Sequence, residues 1–275
     1  MDLLRTSALN GIAVATRMAT ALVLNKILAV YVGPAGYAVI GQFQNAMAII
    51  ITFASGAINS GVTKITAENF DDEAQQHTLW RTAGTLTLCA SAVISLLILF
   101  FRYDLSLFFL KDKAQTGVFV WLAISLIFIS VNALLLAILN GKKEVMRYVI
   151  SNIAGSLLGL GVVGLLTWRY QLYGTLVALS VYQAVVFFIT LQQCSKTDWF
   201  SLKYLLGRVD ASYTRTLAKF AIMAATTAIV VPLSQVLVRT HLSQNFGWSY
   251  AGYWDAIWRI STIYLTLVTT TLTLY

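Results

Sequence analysis

Residues 8–63 read ALNGIAVATRMATALVLNKILAVYVGPAGYAVIGQFQNAMAIIITFASGAINSGVT, two apolar runs on either side of Gly33-Pro34-Ala35-Gly36. Each run is long enough to be a helix crossing lipid, and the Gly-Pro pair between them marks a turn. Inside the first run sit two cations, Arg17 and Lys26. A charge at the centre of a spanning helix costs roughly 2.5–3.5 kcal/mol on insertion scales, so such residues usually face a protein interior or a wet cavity. The hairpin therefore marks an integral membrane protein whose first helix borders a path for something anionic.

The rest of the chain follows the same pattern. It is 58% apolar and only 11% charged, against about 25% charged in a soluble domain. Apolar stretches recur at roughly 8–32, 37–63, 82–101, 117–139, 148–168, 174–194, 216–238 and 252–275, each near the ~20 residues needed to cross ~30 Å of hydrocarbon. The expected fold is an all-α integral membrane protein of about eight transmembrane helices joined by short loops. With the N-terminus on the cytoplasmic side, eleven cations fall inside and five outside (Arg102, Lys111, Lys113, Arg169 and Arg239). That bias follows the positive-inside rule. The net charge of +8 is thus topological, which argues against nucleic acid as a partner. Two cysteines make no disulfide framework, the two histidines fall in loops, and nothing has the spacing of a metal site or asks for a cofactor.

Ala35-Gly36-Tyr37 opens the second span and Ala251-Gly252-Tyr253 opens the eighth, in the same topological order. Transporters are often built from such repeats, with the substrate site between the halves. On that reading 1–195 is an N-lobe of six helices, 196–215 a cytoplasmic linker, and 216–275 the start of a C-lobe. The linker is expected either as an interfacial helix or as a solvated loop. Tyr275 ends within an apolar run lacking a basic anchor, so the chain reads as a fragment of a longer protein.

Arg17, with Asn10 on the same helical face, is the strongest candidate for an anion site. Lys26 is nine residues on and so on the opposite face of a straight helix; it lines the same cavity only around a bend, or else snorkels to the surface. Asp255 and Arg259 form an i,i+4 pair that either neutralises itself or offers Arg259 to an anion and Asp255 as a protonation or ion-coupling site. Lys64 ends the second span as an anchor or a phosphate contact. The amides Asn25, Gln42, Gln44, Asn45 and Asn59 fit inter-helix hydrogen bonds or a hydroxyl-rich ligand. The span 5 glycines, including Gly155 and Gly159, fit close helix packing.

Lys26-Ile-Leu-Ala-Val, Gly33-Pro34-Ala35-Gly36, Gly61-Val-Thr-Lys64 and Leu217-Ala-Lys219-Phe220-Ala-Ile-Met223-Ala together resemble the Wzx-type flippases of Gram-negative bacteria, in the branch handling enterobacterial common antigen and O antigens. The resemblance implies a MATE-like fold of the multidrug/oligosaccharidyl-lipid/polysaccharide exporter (MOP) superfamily. It also implies an inner-membrane location and a cargo of undecaprenyl-diphosphate-linked oligosaccharide, moved from the cytoplasmic to the periplasmic leaflet beside other polysaccharide assembly proteins. It implies no catalytic residue; Arg17, Lys26, Lys64 and Arg259, with Asn25, Gln42 and Asn45, become candidates for the diphosphate and glycan. Asp255 departs from the family pattern, where an amide is common nearby. Two rivals remain open: a MATE-like multidrug or cation antiporter, and a membrane-embedded polysaccharide polymerase or acyltransferase.

Overall fold

A computed structural model describes the backbone of residues 3–55 and 57–272, and the side chains of 11–262 and 265 apart from 56 and 227. Eight α-helices carry the described residues: α1 (Leu3–Ala54), α2 (Asn59–Glu68), α3 (Glu73–Phe100), α4 (Arg102–Leu105), α5 (Thr116–Gly141), α6 (Val145–Ser195), α7 (Ala211–Asn245) and α8 (Trp248–Leu272). Among the described residues, five helices are long and apolar enough to cross a membrane, beginning within α1, α3, α6 and α7 and, with the short turn before it, α5.

Two of those five are twice the length a crossing needs, and both are broken. α1 breaks at Gly33 (φ 72°, ψ 177°), immediately before Pro34. A residue preceding proline is pushed out of the helical region, and glycine takes this positive φ most readily. α6 breaks at Gln171 (φ 49°, ψ −130°), a conformation unfavourable for any side chain. The break is held by the Thr175 hydroxyl, which donates to the Gln171 carbonyl at 2.8 Å and lies 2.8 Å from the Thr167 hydroxyl. A Cβ on Gly174 would collide with the Leu166 carbonyl oxygen, so only glycine lets the two arms meet there.

The second apolar run ends earlier than its composition suggests. The expected span 37–63 stops at Ala54. Ala57 takes a left-handed φ of 51°, and its N–H donates to the Thr52 carbonyl at 3.0 Å. A separate helix, α2, then carries Lys64. Polar and small residues (Ser55, Asn59, Ser60, Gly61) punctuate this run, a breaker signal that the surrounding apolar residues conceal.

Two apolar clusters stabilise the bundle. In the first, Leu28, Ile40 and Phe43 of α1 pack with Phe119, Leu122 and Leu126 of α5 and with Leu176 of α6; the Phe43 and Phe119 rings meet edge to face at 5.7 Å. The second lies at the other end of α5, where Val62, Leu79, Trp80, Leu134 and Ile138 surround residues of the 196–210 segment. That segment forms no α-helix and carries only a short 3₁₀ turn at Leu202–Tyr204; it is docked on one side and exposes Leu202, Leu206 and Val209 on the other. Phe200 and Leu205 are buried, Tyr204 stacks on His77 at 3.7 Å, and a Cβ on Gly84 would collide with the Leu205 carbonyl oxygen. Asp210 then caps α7, accepting from the Tyr213 N–H at 3.0 Å while donating its own N–H to Thr82 Oγ1. Large apolar side chains such as Leu96, Phe100, Ile124, Leu157, Leu165, Ile222 and Val230 are exposed, as a lipid-facing surface requires.

α8 lies against the second arm of α1 and runs parallel to it. Gly252 faces Pro34 and Asp255 faces Gly41, while Arg259 bonds Gln44, 215 positions earlier. The two Ala-Gly-Tyr segments therefore meet like to like. A Cβ on Gly252 would overlap the Pro34 carbonyl oxygen, so Gly252→Val is expected to destabilise the protein by about 2 kcal/mol or more, read as a lower Tm in detergent. Gln171→Gly should raise stability by about 1 kcal/mol by relieving its backbone, measured the same way.

Candidate functional site

Two polar assemblies occupy the bundle. The first is an ion cluster between α1, α7 and α8. Asp255 is 1% exposed and Arg239 3% exposed. Arg239 donates to Asp255 Oδ1 from Nε at 2.9 Å and also from Nη2. Arg259, one turn further along α8, donates to Asp255 Oδ2 at 2.9 Å and to Gln44 Oε1 at 2.6 Å. Gln42 accepts from Arg239 Nη1 at 3.5 Å and donates to Thr240 Oγ1 at 3.4 Å. Aromatic faces shield both guanidiniums, Tyr37 at 4.7 Å from Arg259 and Trp254 at 5.7 Å from Arg239. A Cβ at Gly41 would stand 2.6 Å from Asp255 Oδ2, so only glycine leaves room for the carboxylate. Two cations share one anion, and the cluster keeps one positive charge.

Arg239 corrects an expectation. Its position late in an apolar span and close to polar residues reads as an outer-face cation. Instead α7 continues as helix to Asn245, and Arg239 turns inward to Asp255. The signal present in the sequence is the Gln235–Arg239 spacing of four, which puts both on one helical face; both are buried.

The second assembly is a cavity of about 380 Å³ between α1, α5 and α6, lined by Arg17, Gln44, Asn132, Ser151, Tyr182 and Gln183 among others. Arg17 is exposed, and among the described residues no side chain bonds its guanidinium. A neighbouring cavity of about 350 Å³ shares Arg17, Asn152 and Ser156 and reaches Asn140 and Tyr148 beside the α5–α6 turn. Arg17 thus stands where a polar chamber opens toward one end of the bundle. Gln44 belongs to both assemblies, lining the chamber while accepting from Arg259.

The other sequence candidates lie elsewhere. Lys26 is on an exposed stripe with Leu22, Val23 and Val30, away from the Arg17 chamber as nine residues of helix dictate. Lys64 pairs with Glu68 at 3.7 Å on an open face of α2 and lies 5.6 Å from the Phe220 ring, so it does not join either assembly. Asn25 accepts the Tyr37 hydroxyl at 3.0 Å, and Gln42 is committed to the ion cluster. Asn45 Nδ2 and Asn59 Oδ1 are buried without partners among the described residues. The side chain of Asn10 lies outside the described residues. Gly155 and Gly159 provide close packing between the two arms of α6, with Cβ positions 3.3 Å from Val186 and 3.2 Å from Tyr182. Among the described residues no group of three or more His, Cys, Asp or Glu is placed to hold a metal ion.

No family model matches the chain. Over its full length it is 26% identical to the lipid III flippase of Escherichia coli (strain K12), and to that of Shigella flexneri at the same identity. It spans 66% of the length of these relatives. Its fold is similar to that of a MATE multidrug transporter, DinF-BH, solved with a bound ligand (TM-score 0.78, 14% identity, covering 95% of this chain and 60% of that one). It is also similar to a MOP superfamily transporter from Pyrococcus furiosus described as having a binding pocket of reverse polarity (TM-score 0.76, 16% identity, 100% and 63% covered). These relatives are flippases and transporters, not enzymes. The chain is thus a multi-pass membrane protein with the helical architecture of MATE and MOP superfamily transporters, similar in sequence to lipid III flippases.

Proposed function

We propose that this chain is part of an inner-membrane flippase that moves an undecaprenyl-diphosphate-linked oligosaccharide from the cytoplasmic to the periplasmic leaflet. The observation that carries the reading is Arg17, a guanidinium with no side-chain partner among the described residues, at the mouth of a polar chamber within an apolar bundle. A diphosphate cannot cross hydrocarbon bare. A guanidinium presents a planar fork of donors matched to phosphate oxygens and replaces part of their lost hydration. Similarity to the lipid III flippase over the whole of this chain supports the cargo, and the bias of eleven inner to four outer cations that remains once Arg239 is placed in the bundle supports a cytoplasmic N-terminus.

In this reading 1–195 form an N-lobe, 196–215 a docked cytoplasmic linker, and 216–275 the first part of a C-lobe. Alternating access rocks the lobes about the parallel contact of α8 with the second arm of α1. Asp255 holds Arg239 and Arg259 at that contact. Protonating it would release one guanidinium, which makes it the candidate coupling group. Gln44 links that event to the chamber, since it touches both. The rival reading, a MATE-like cation antiporter, fits less well, because the chamber wall carries a guanidinium where a cationic substrate calls for a carboxylate.

Arg17→Ala is expected to lower flipping at least tenfold while leaving membrane insertion intact, with Arg17→Lys retaining part of the activity. Complementation of a flippase-null strain by the complete reading frame, together with the accumulation of lipid-linked repeat units, reads this out. Full complementation by Arg17→Ala would sink the proposal. Asp255→Asn should cost stability by about 3–5 kcal/mol, because it leaves Arg239 buried without its counter-charge. Combining it with Arg239→Met should recover most of that loss, checked by thermal unfolding.

A further inference from the structure

We propose that the segment joining α6 to α7 is a binding surface for an anionic glycerophospholipid of the surrounding leaflet, with an acyl chain in the groove beside α6 and the phosphate held by the segment's cations. Neither the Arg17 chamber nor the proposed cargo takes part in this site.

The segment is clamped to the bundle along one side. Gly207 donates its N–H to Thr85 Oγ1 and accepts the Thr85 hydroxyl at its carbonyl, both at 3.3 Å. The Asp210 N–H donates to Thr82 Oγ1 at 3.0 Å, and the Leu205 backbone lies against Gly84. With its backbone pinned to α3, the segment turns its other side chains away from the bundle: Leu202 is 56% exposed, Leu206 58% and Val209 46%. α6 ends at Ser195 and α7 begins at Ala211, so this face lies at the rim, where spanning helices leave the hydrocarbon. Large apolar side chains open to water are unfavourable. Interspersed with Lys and Arg at this level, they suit the boundary between headgroups and acyl chains.

The shape and charge of the face select its occupant. An open groove of about 500 Å³ lies between the end of α6 and the segment, with Phe188, Leu191, Phe200 and Leu202 as its apolar lining beside Ser195 and Ser201. Lys196 follows Ser195 and Lys203 follows Leu202, so a cation neighbours the groove on each of the two stretches of chain that form it. Lys196, Lys203 and Arg208 are exposed, against one exposed carboxylate in the segment, Asp198. Among the described residues none of the three cations forms a salt bridge, while the Asp210 carboxylate is committed to the α7 cap. The Lys196 carbonyl at the end of α6 accepts from Arg147 Nη2 at 3.3 Å, which covers an acceptor that would repel a phosphate. Unpaired cations beside an apolar groove match a negative headgroup attached to an acyl chain. A spanning bundle meets lipid headgroups at this level in any case, which favours a lipid over a protein as the occupant.

Native mass spectrometry of the whole 275-residue chain tests this, with the chain titrated in detergent with dioleoylphosphatidylglycerol or with dioleoylphosphatidylcholine. The wild-type chain is expected to retain the anionic lipid about tenfold more tightly, the effect of a few surface cations. Lys196→Gln, Lys203→Gln and Arg208→Gln together should bring phosphatidylglycerol down to the level of phosphatidylcholine with Tm unchanged, because all three side chains are exposed. Ser195→Trp, which places an indole in the groove, should lower the retention of both lipids. Arg102→Gln, Lys111→Gln and Lys113→Gln together, at the opposite end of α3, should change neither. Equal losses from the two triple variants would mean attraction to overall charge and overturn the site, as would full retention of phosphatidylglycerol by Ser195→Trp. Displacement of phosphatidylglycerol by excess glycerol 3-phosphate would make the ligand a soluble phosphate and overturn the lipid assignment. A wild-type chain that retains both lipids equally, or neither, overturns the proposal, and the second result leaves the face to a protein partner.

Discussion

Hydrocarbon offers no hydrogen-bonding partner, so each polar group carried into the bundle must find one in the protein or in what the protein carries. Two groups of in-span polar residues stand in contrast under this constraint. Asp255, Arg239, Arg259, Gln42 and Gln44 bond one another in a continuous network. Arg17, Asn132 and Ser151 keep polar atoms without partners among the described residues, and they share one chamber. A closed network fixes geometry, whereas an exposed guanidinium without a side-chain partner is free to meet an anion.

The closed network also explains why α8 approaches α1 so tightly. Gly41 leaves space for the Asp255 carboxylate and Gly252 lets α8 touch the Pro34 backbone. Both contacts lie on parallel segments that carry the same Ala-Gly-Tyr triplet. Where two helices approach this closely, small residues are needed at the contact. The ion cluster sits at this contact, so its charges help to hold α8 against α1.

At the other end of α5, the docked 196–210 segment obeys the same constraint. In sequence the segment reads either as an interfacial helix or as a solvated loop. In the fold Phe200 and Leu205 complete a core with Trp80 of α3 and with Leu134 and Leu135 of α5, and Tyr204 covers His77. Phe200 and Leu205 are thus engaged in protein contacts while Leu202, Leu206 and Val209 stay exposed, and the Asp210 cap fixes where α7 begins.

The membrane class, the order of the apolar segments, the repeated Ala-Gly-Tyr and the divergence of Arg17 and Lys26 can all be read from the chain as a string of residues. They depend on composition, length and the 100° step of a helix, which are local properties. The Gly33-Pro34 break is legible for the same reason, since backbone restriction travels with those two residues. The end of the second arm at Ala54, the break at Gln171 and the inward turn of Arg239 are not legible in this way. Nothing in the local pattern separates a cation that reaches water from one that meets a carboxylate on another helix. It takes the packed bundle to show that Asn25 and Gln42 are bonded inside the protein while Asn132 and Ser151 keep open valences. Hydrogen-bond satisfaction is a property of pairs brought together from distant parts of the chain, and one-dimensional spacing does not encode it.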